Sequence, residues 1–390
     1  MAIFRFIICL GAALTTAAVF AQVQSQSNSD SQPAKSGSPV AYVYVAAGTN
    51  LNSVVAYTAA ANGALTPIPG SPFADNVYSM AVNGKYLMAV DSASPPNIDT
   101  FEIGSNGSLT YVTSAPCVQT GNSCLAAGNL FFDHTGTDLY VMEFDSDTNH
   151  ETASYAVDQS SGILNYLGDT VTGTFPGDYT GTFFIGNNVY AYSADQSGCM
   201  YYNIYGFQRE SNGLLNSISA QFNQPTPPPG VRIYYPDLTV ADPNSNLAML
   251  EQPANPPGCA AGPLQIAVYT ADANGNLNTN STYKDMPATK IEGPYDMKTS
   301  PSGELLAVAG QEGLQVFHFN GSNPVTHYTG LLTKQPINQM FWDKNNHLYA
   351  ISNTAGELLV FTITPTAHHQ AKGSPYAIAG AQQIIVQPLK

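Results

Sequence analysis

Apolar residues in this chain gather in short runs that alternate or cluster, and each run stops at a polar turn. No segment sustains a 3.6-residue period, so the pattern predicts strands rather than helices. One motif recurs seven times. An apolar run carries an aromatic residue, meets a small polar turn, and resumes with another apolar residue. The copies are VVAYTAAANGAL around Tyr57, IDTFEIGSNGSL around Phe101, TASYAVDQSSGIL around Tyr155 and IYGFQRESNGLL around Phe207. They continue as IAVYTADANGNL around Tyr269, LQVFHFNGSNPV around Phe317 and LLVFTITPTAHH around Phe361, where the turn is degraded. The Asn-Gly steps in several copies predict two-residue hairpin turns, because both positions then need a positive φ.

A second motif precedes each copy, a polar turn followed by an apolar run, as in HTGTDLYVME (134–143), PNSNLAMLEQ (243–252) and PSGELLAVAG (301–310). Before the turn lies a third apolar piece, such as YSMAV (78–82) or QMFWD (339–343). The repeating unit is therefore four short strands, labelled A to D from the hub outward, with tight turns between A and B and between C and D. Successive motif aromatics stand roughly 44 to 62 residues apart, the period of four-stranded propeller blades. The expected fold is all-β, a seven-bladed β-propeller. The first unit lacks its A strand, and QQIIVQ (382–387) supplies it from the far end. Closing one blade with both termini removes the open seam that an unpaired strand edge would leave.

The predicted organisation is a signal peptide over 1–21, a flexible leader over 22–38 and the propeller over 39–390. Arg5 gives the signal its positive start, Phe6 to Phe20 its apolar stretch, and Val19-Phe20-Ala21 its small-residue cleavage pattern. Residues 22–38 are rich in Ser and Gln and almost free of apolar side chains. Net charge is −15, and the only arginines after Arg5 are Arg209 and Arg232. Nucleic acid and acidic membrane surfaces are therefore excluded as partners. A monomer that is secreted or periplasmic is expected.

Export makes the cysteines candidates for disulfides. Cys117 and Cys124 share the connection between blades two and three. Cys199 and Cys259 fall in the B-to-C loops of adjacent blades four and five, so they are paired by register. No C-x-x-C occurs, which argues against a thiolate metal site.

B-to-C loops and blade-to-blade connections share one face of a propeller, and ligands are expected at the mouth of its channel. Arg232, beside Tyr234 and Tyr235 in PPPGVRIYYPD, could hold a carboxylate or phosphate in bidentate fashion, with Tyr235 alongside. The competing reading is a structural ion pair with Asp237 or a neighbouring loop. Glu251 and Glu143 follow the B strands of blades five and three, and Asp91 and Asp195 occupy comparable ends. Such carboxylates could supply a general base or hold a divalent cation, the one cofactor the pattern allows. Their bland reading is solvated loop acids. Asp145, Asp147 and Asn149 begin like a calcium loop, but His150 stands at the sixth position and Ala156 at the twelfth. His134 and His347 are placed in A-to-B turns as surface residues, and His368 and His369 at the outer rim. No G-x-S-x-G, H-E-x-x-H or phosphate-cradling glycine loop is present.

SPSGELLAVAG (300–310), the other turn-plus-strand copies, and the paired GSPFA (70–74) and GSPYA (373–377) resemble the seven-bladed propellers of the lactonase family. The resemblance covers about residues 40 to 390. It implies acid, base and arginine groups on one face near the central channel, and hydrolysis of a lactone ring ester. The His-containing stretches the family implies before inner strands are replaced here by GPYDMKTS and YPDLTVAD. Two functions follow. One is a lactonase-like hydrolase, with Arg232 anchoring an acidic substrate and Glu251 or Glu143 activating water. The other is a non-catalytic propeller binding a small molecule, carbohydrate, peptide or envelope partner through Tyr-rich loops such as MYYNIYG (200–206). Converging Arg, Glu and His at the channel mouth would favour the enzyme. An aromatic, charge-poor mouth would favour binding.

Overall fold

The computed structural model describes residues 37–389, except 49–51, 92, 94, 118–125, 145–148, 175–177, 187, 198–200 and 256–259. For 126–127, 144, 149, 174, 178–183, 195–197 and 201 it describes the backbone alone. The predicted signal peptide and most of the leader, Cys124, Cys199, Cys259, Asp145 and Asp147 lie outside the described residues. Cys117 is buried and disulfide-bonded.

Seven antiparallel sheets follow one another along the chain, and no helix occurs among the described residues. Blades two to seven occupy 77–116, 126–174, 178–218, 233–279, 294–333 and 339–370. Blade one joins Gln383–Pro388 as strand A to Ala41–Ala47, Ser53–Ala59 and Leu65–Pro67. Val43 pairs with Val386 and Val45 with Ile384, so the C-terminal strand closes the ring as expected. The two GSP segments become short extra strands, Phe73–Ala74 on blade one and Tyr376–Ala377 on blade seven. In each, the serine hydroxyl accepts a backbone N–H of strand C: Ser71 from Ala56 at 2.8 Å, Ser374 from Val360 at 2.9 Å.

In blades one, two, four and five the C-to-D turns differ from the two-residue expectation, whereas in blade six Asn320 pairs with Asn323 around two residues. In blade five Asp272 N–H donates to Asn276 O at 3.0 Å and Gly275 N–H to Asp272 O at 3.0 Å. Three residues thus lie inside the closing pair. Gly275 alone of the turn has positive φ, +78°, whereas a two-residue type I′ turn would require it of Asn274 too. The geometry is a type I turn ending in a left-handed glycine.

That glycine has a second duty. Its carbonyl accepts a buried tyrosine hydroxyl from strand B of the preceding blade. Tyr44 donates to Gly107 O at 2.8 Å, Tyr140 to Gly213 O at 2.6 Å, and Tyr192 to Gly275 O at 2.9 Å. The approach leaves no room for a side chain: a Cβ at Gly107 would stand 2.7 Å from the Tyr42 ring.

The A-to-B turns of blades three, five and seven are closed by acidic side chains, Asp133, Asp242 and Asp343. Asp242 Oδ1 accepts the backbone N–H groups of Asn244 and Asn246, both at 2.8 Å. Asp343 does the same for Asn345 and His347. His347 is here a correction to the sequence reading. It opens strand B of blade seven and is 1% exposed, not a surface residue. Its Nδ1 lies 2.7 Å from Asp343 Oδ2, which also accepts the Tyr349 hydroxyl at 2.9 Å. The short turn ends before His347, so its ring is carried inward against the Gly63 turn of blade one.

Among the described residues the core divides into seven clusters, each between two neighbouring blades. Strand Ala41–Ala47 is buried throughout; Val43 and Val45 face blade seven while Tyr42 and Tyr44 face blade two. Burial on both faces explains why the B strands read as continuous apolar runs.

Removing one inter-blade hydroxyl leaves a buried carbonyl unpaired. Tyr140→Phe is expected to lower unfolding free energy by about 1–3 kcal/mol, measured by denaturant titration. Gly107→Ala, with φ at +82° and the Tyr42 ring in its way, should cost at least as much.

Candidate functional site

Strand B ends position the sequence-predicted acids, and the structure separates them. Glu143 and Glu251 lie inside strands Asp138–Phe144 and Asn246–Ala254, not beyond them. Both are 0% exposed, so neither is a solvated loop acid. Asp195 lies in strand B of blade four, paired in register with Tyr179 and Asn203; its side chain is outside the described residues. Asp91 ends strand B of blade two and closes its own loop. It accepts Ala93 N–H at 3.0 Å, Asn97 N–H at 2.8 Å and the Asn97 amide at 2.9 Å. With Asp75 and Asp99 it lines an acidic pocket of about 450 Å³. Burial, then Asp99, pushes the Asp75 carboxyl up to about 6.

Glu251 accepts a hydrogen bond from the Tyr269 hydroxyl at Oε1, and its buried Oε2 has no partner. Burial pushes its carboxyl up to about 8, against the opposing effect of that hydrogen bond. The same cluster raises Tyr202, and raises Tyr234 to about 12, through burial and then the Glu251 charge. Tyr234 donates to Gln265 Oε1 at 2.9 Å, and Tyr235, 5% exposed, meets the Tyr202 ring edge-on at 5.8 Å. Glu143 is the matching residue in blade three. Its Oε1 lies 2.9 Å from Cys117 Sγ and its buried Oε2 has no partner. Burial, then the charges of Asp169 and Glu151, push its carboxyl up to about 9.

Arg232 is exposed just before strand A of blade five. Its backbone N–H is shared between Asn255 Oδ1 at 2.9 Å and Ala254 O at 3.2 Å. Glu251 pairs in register with Pro236, four residues further down the strand, or roughly 13 Å of backbone. Arg232 and Glu251 therefore share a strand pair but not a contact level. Arg209, the other arginine after Arg5, bridges Asp133 and Asp138 across the blade three–four interface.

The A strands enclose a hub cavity of about 470 Å³. Its lining includes Asn129, Asn338, Gln339, Gln382 and Gln383, none of which the sequence reading had singled out. Their signal was available: the residue four places before each A-to-B turn faces the hub, and it is Ser79, Asn129, Asp296 and Gln339 in blades two, three, six and seven. Several of these side chains tie one blade to the next. Ser79 Oγ accepts Leu130 N–H at 3.1 Å, Asp296 Oδ2 accepts Met340 N–H at 2.8 Å, and Gln339 Oε1 accepts Ile384 N–H at 2.5 Å. Lys298, the one lysine among the described lining residues, pairs with Asp296 at 2.6 Å. Phe131 and Phe341 add aromatic wall, and exposed His134 stands at the lower end against Phe184.

Blade count, ring closure and hub together define a seven-bladed β-propeller of four-stranded blades. Solved structures share this fold over nearly the whole chain. A protein from Lactobacillus plantarum aligns with a TM-score of 0.66 at 14% identity, covering 90% of this chain and 100% of that one. A candidate 6-phosphogluconolactonase from Bacteroides fragilis gives 0.64 at 13% identity, covering 91% and 99%. The periplasmic gluconolactonase of Pseudomonas aeruginosa gives 0.64 at 14% identity, covering 89% and 98%. No described protein family matches the sequence, and no curated protein sequence does. The likeness to lactonase-type propellers is one of fold.

The raised carboxyls set a pH dependence. An unfolded glutamate ionises near 4.5, whereas Glu251 and Glu143 hold their protons to about 8 and about 9. Between those values the native state binds more protons than the unfolded chain, so stability falls as pH rises. The thermal midpoint is expected to drop from about pH 5 to about pH 8, and the double substitution Glu143→Gln/Glu251→Gln to flatten that slope.

Proposed function

We propose that the chain is an exported propeller that takes up a small-molecule or carbohydrate ligand at its hub without chemical turnover. The observation that carries this reading is the described hub lining: amides and aromatic rings, with its lysine paired to Asp296 and His134 only at its lower end. The cationic and carboxylic groups nominated from the sequence stand elsewhere. Glu143 and Glu251 are enclosed in the blades, Asp91 closes a loop, and Arg232 is exposed at the blade-five edge. Export, to the periplasm or beyond, is supported by the signal-like pattern over 1–21, and a periplasmic protein is among those sharing the fold. The reading is of a monomer, with nucleic acid and membrane surfaces outside its partners because of the charge of −15.

A second reading, hydrolysis of a lactone ring ester, is favoured by Glu251. A carboxyl held near 8, with an unpartnered oxygen, has the proton affinity of a general acid or base at neutral pH. Water would add to the ring carbonyl as Glu251 takes its proton and then returns it to the departing ring oxygen. Arg232 would hold an acidic substituent, and the upper face of blade five would have to open to admit substrate.

A panel of lactones, including gluconolactone and 6-phosphogluconolactone, separates the two. The expected result is no hydrolysis above the buffer rate in a pH-stat assay. Turnover that Glu251→Gln abolishes, and that Arg232→Ala weakens through KM for acidic lactones, would replace binding by catalysis.

A further inference from the structure

The hub restricts what it can hold. Asn129 and Gln382 project into the cavity and make no side-chain hydrogen bond among the described residues. Asn338 uses its Oδ1 on Asn353 N–H at 2.8 Å, and Gln383 uses its Oε1 on the Gln339 amide at 2.8 Å. Each keeps a free NH₂ group. The hub thus offers both donors and acceptors, from uncharged amides, at several points around one axis.

Its charged pair offers nothing to an ion. Asp296 Oδ1 accepts Met297 N–H at 2.9 Å and Lys298 Nζ at 2.6 Å, and Oδ2 accepts Met340 N–H. A cation would have to compete with the three donors already on this carboxylate. An anion would find the lysine paired, inside a protein of net charge −15. Among the described residues the rest of the wall carries Phe131, Phe341 and Met80, with Ser79, Thr239, Tyr295 and His134 as its other polar side chains. Amides together with aromatic rings fit a molecule that carries many hydroxyls on an apolar ring skeleton. A volume of about 470 Å³ lies within the range of small-ligand sites.

We infer that the hub binds a neutral saccharide of about disaccharide size, its hydroxyls on the free amides of Asn129, Asn338, Gln382 and Gln383 and its ring faces on Phe131 and Phe341. This inference rests on the hub being the ligand site, and adds the ligand's chemistry to that reading.

Trp342 is the only tryptophan of the chain; it lines a neighbouring pocket that shares His134, Ala241, Lys298 and Phe341 with the hub, and its Nε1 donates to Lys298 O at 3.4 Å. Its fluorescence is therefore a probe of the wall the two pockets share, read beside calorimetry. Purified mature protein would be titrated with cellobiose, maltose and trehalose, and with glucose 6-phosphate as the charged comparison, by fluorescence and calorimetry. Saturable binding of a neutral disaccharide is expected, weakened about tenfold or more in the double variant Asn129→Ala/Gln382→Ala. Its melting temperature should match the parent, since neither amide holds the fold together. Three outcomes overturn the proposal, and they differ. No saturable binding by any of the three disaccharides removes the saccharide. Tighter binding of glucose 6-phosphate, lost in the double variant, keeps the hub as the site and removes the neutral class. Disaccharide binding unchanged in the double variant removes the hub itself.

Discussion

The whole disc depends on how closely one blade can approach the next. At three interfaces that distance is fixed by a tyrosine hydroxyl of strand B reaching the carbonyl of a turn glycine in the following blade. The bond can form only if the glycine has no side chain and adopts a left-handed conformation that leaves its carbonyl facing backward. Blade seven meets blade one by a variation, with His347 and its Asp343 partner against Gly63. Each interface then encloses its own apolar cluster, so the core is a ring of seven separate layers rather than one central mass.

Much of this architecture was legible because its physics is local and repeated. An aromatic before a Gly-containing turn must recur wherever a blade recurs, and QQIIVQ stood out because it had strand character without a unit of its own. The Asn-Gly steps were legible as turns but not as the particular turn. Asn-Gly suits a type I′ pair, yet only Gly275 takes the positive φ; the longer loop sets its carbonyl on Tyr192 of the neighbouring blade, a contact that sequence spacing does not display.

The candidate site was less legible, for a related reason. Glu143 and Glu251 sit at strand ends in the pattern, where acids are ordinarily solvated. Their enclosure is produced by residues from other parts of the chain: Tyr269 and the neighbouring tyrosine rings around Glu251, Cys117 beside Glu143. A tyrosine in a repeat looks like core filling, and Tyr269 is that, but it is also the proton donor to a buried acid. The hub amides escaped notice for the opposite reason. Asn and Gln in short strands look unremarkable one at a time, and only the ring places five of them around a common axis.

Because Ala41 lies opposite Pro388 in the sheet, the two ends of the folded chain meet within one blade. The position of the chain break is thus incidental to the disc. A linker across blade one and a new opening at an exposed C-to-D hairpin would keep the same strand pairings, so a circular permutant that starts from another blade is compatible with the fold.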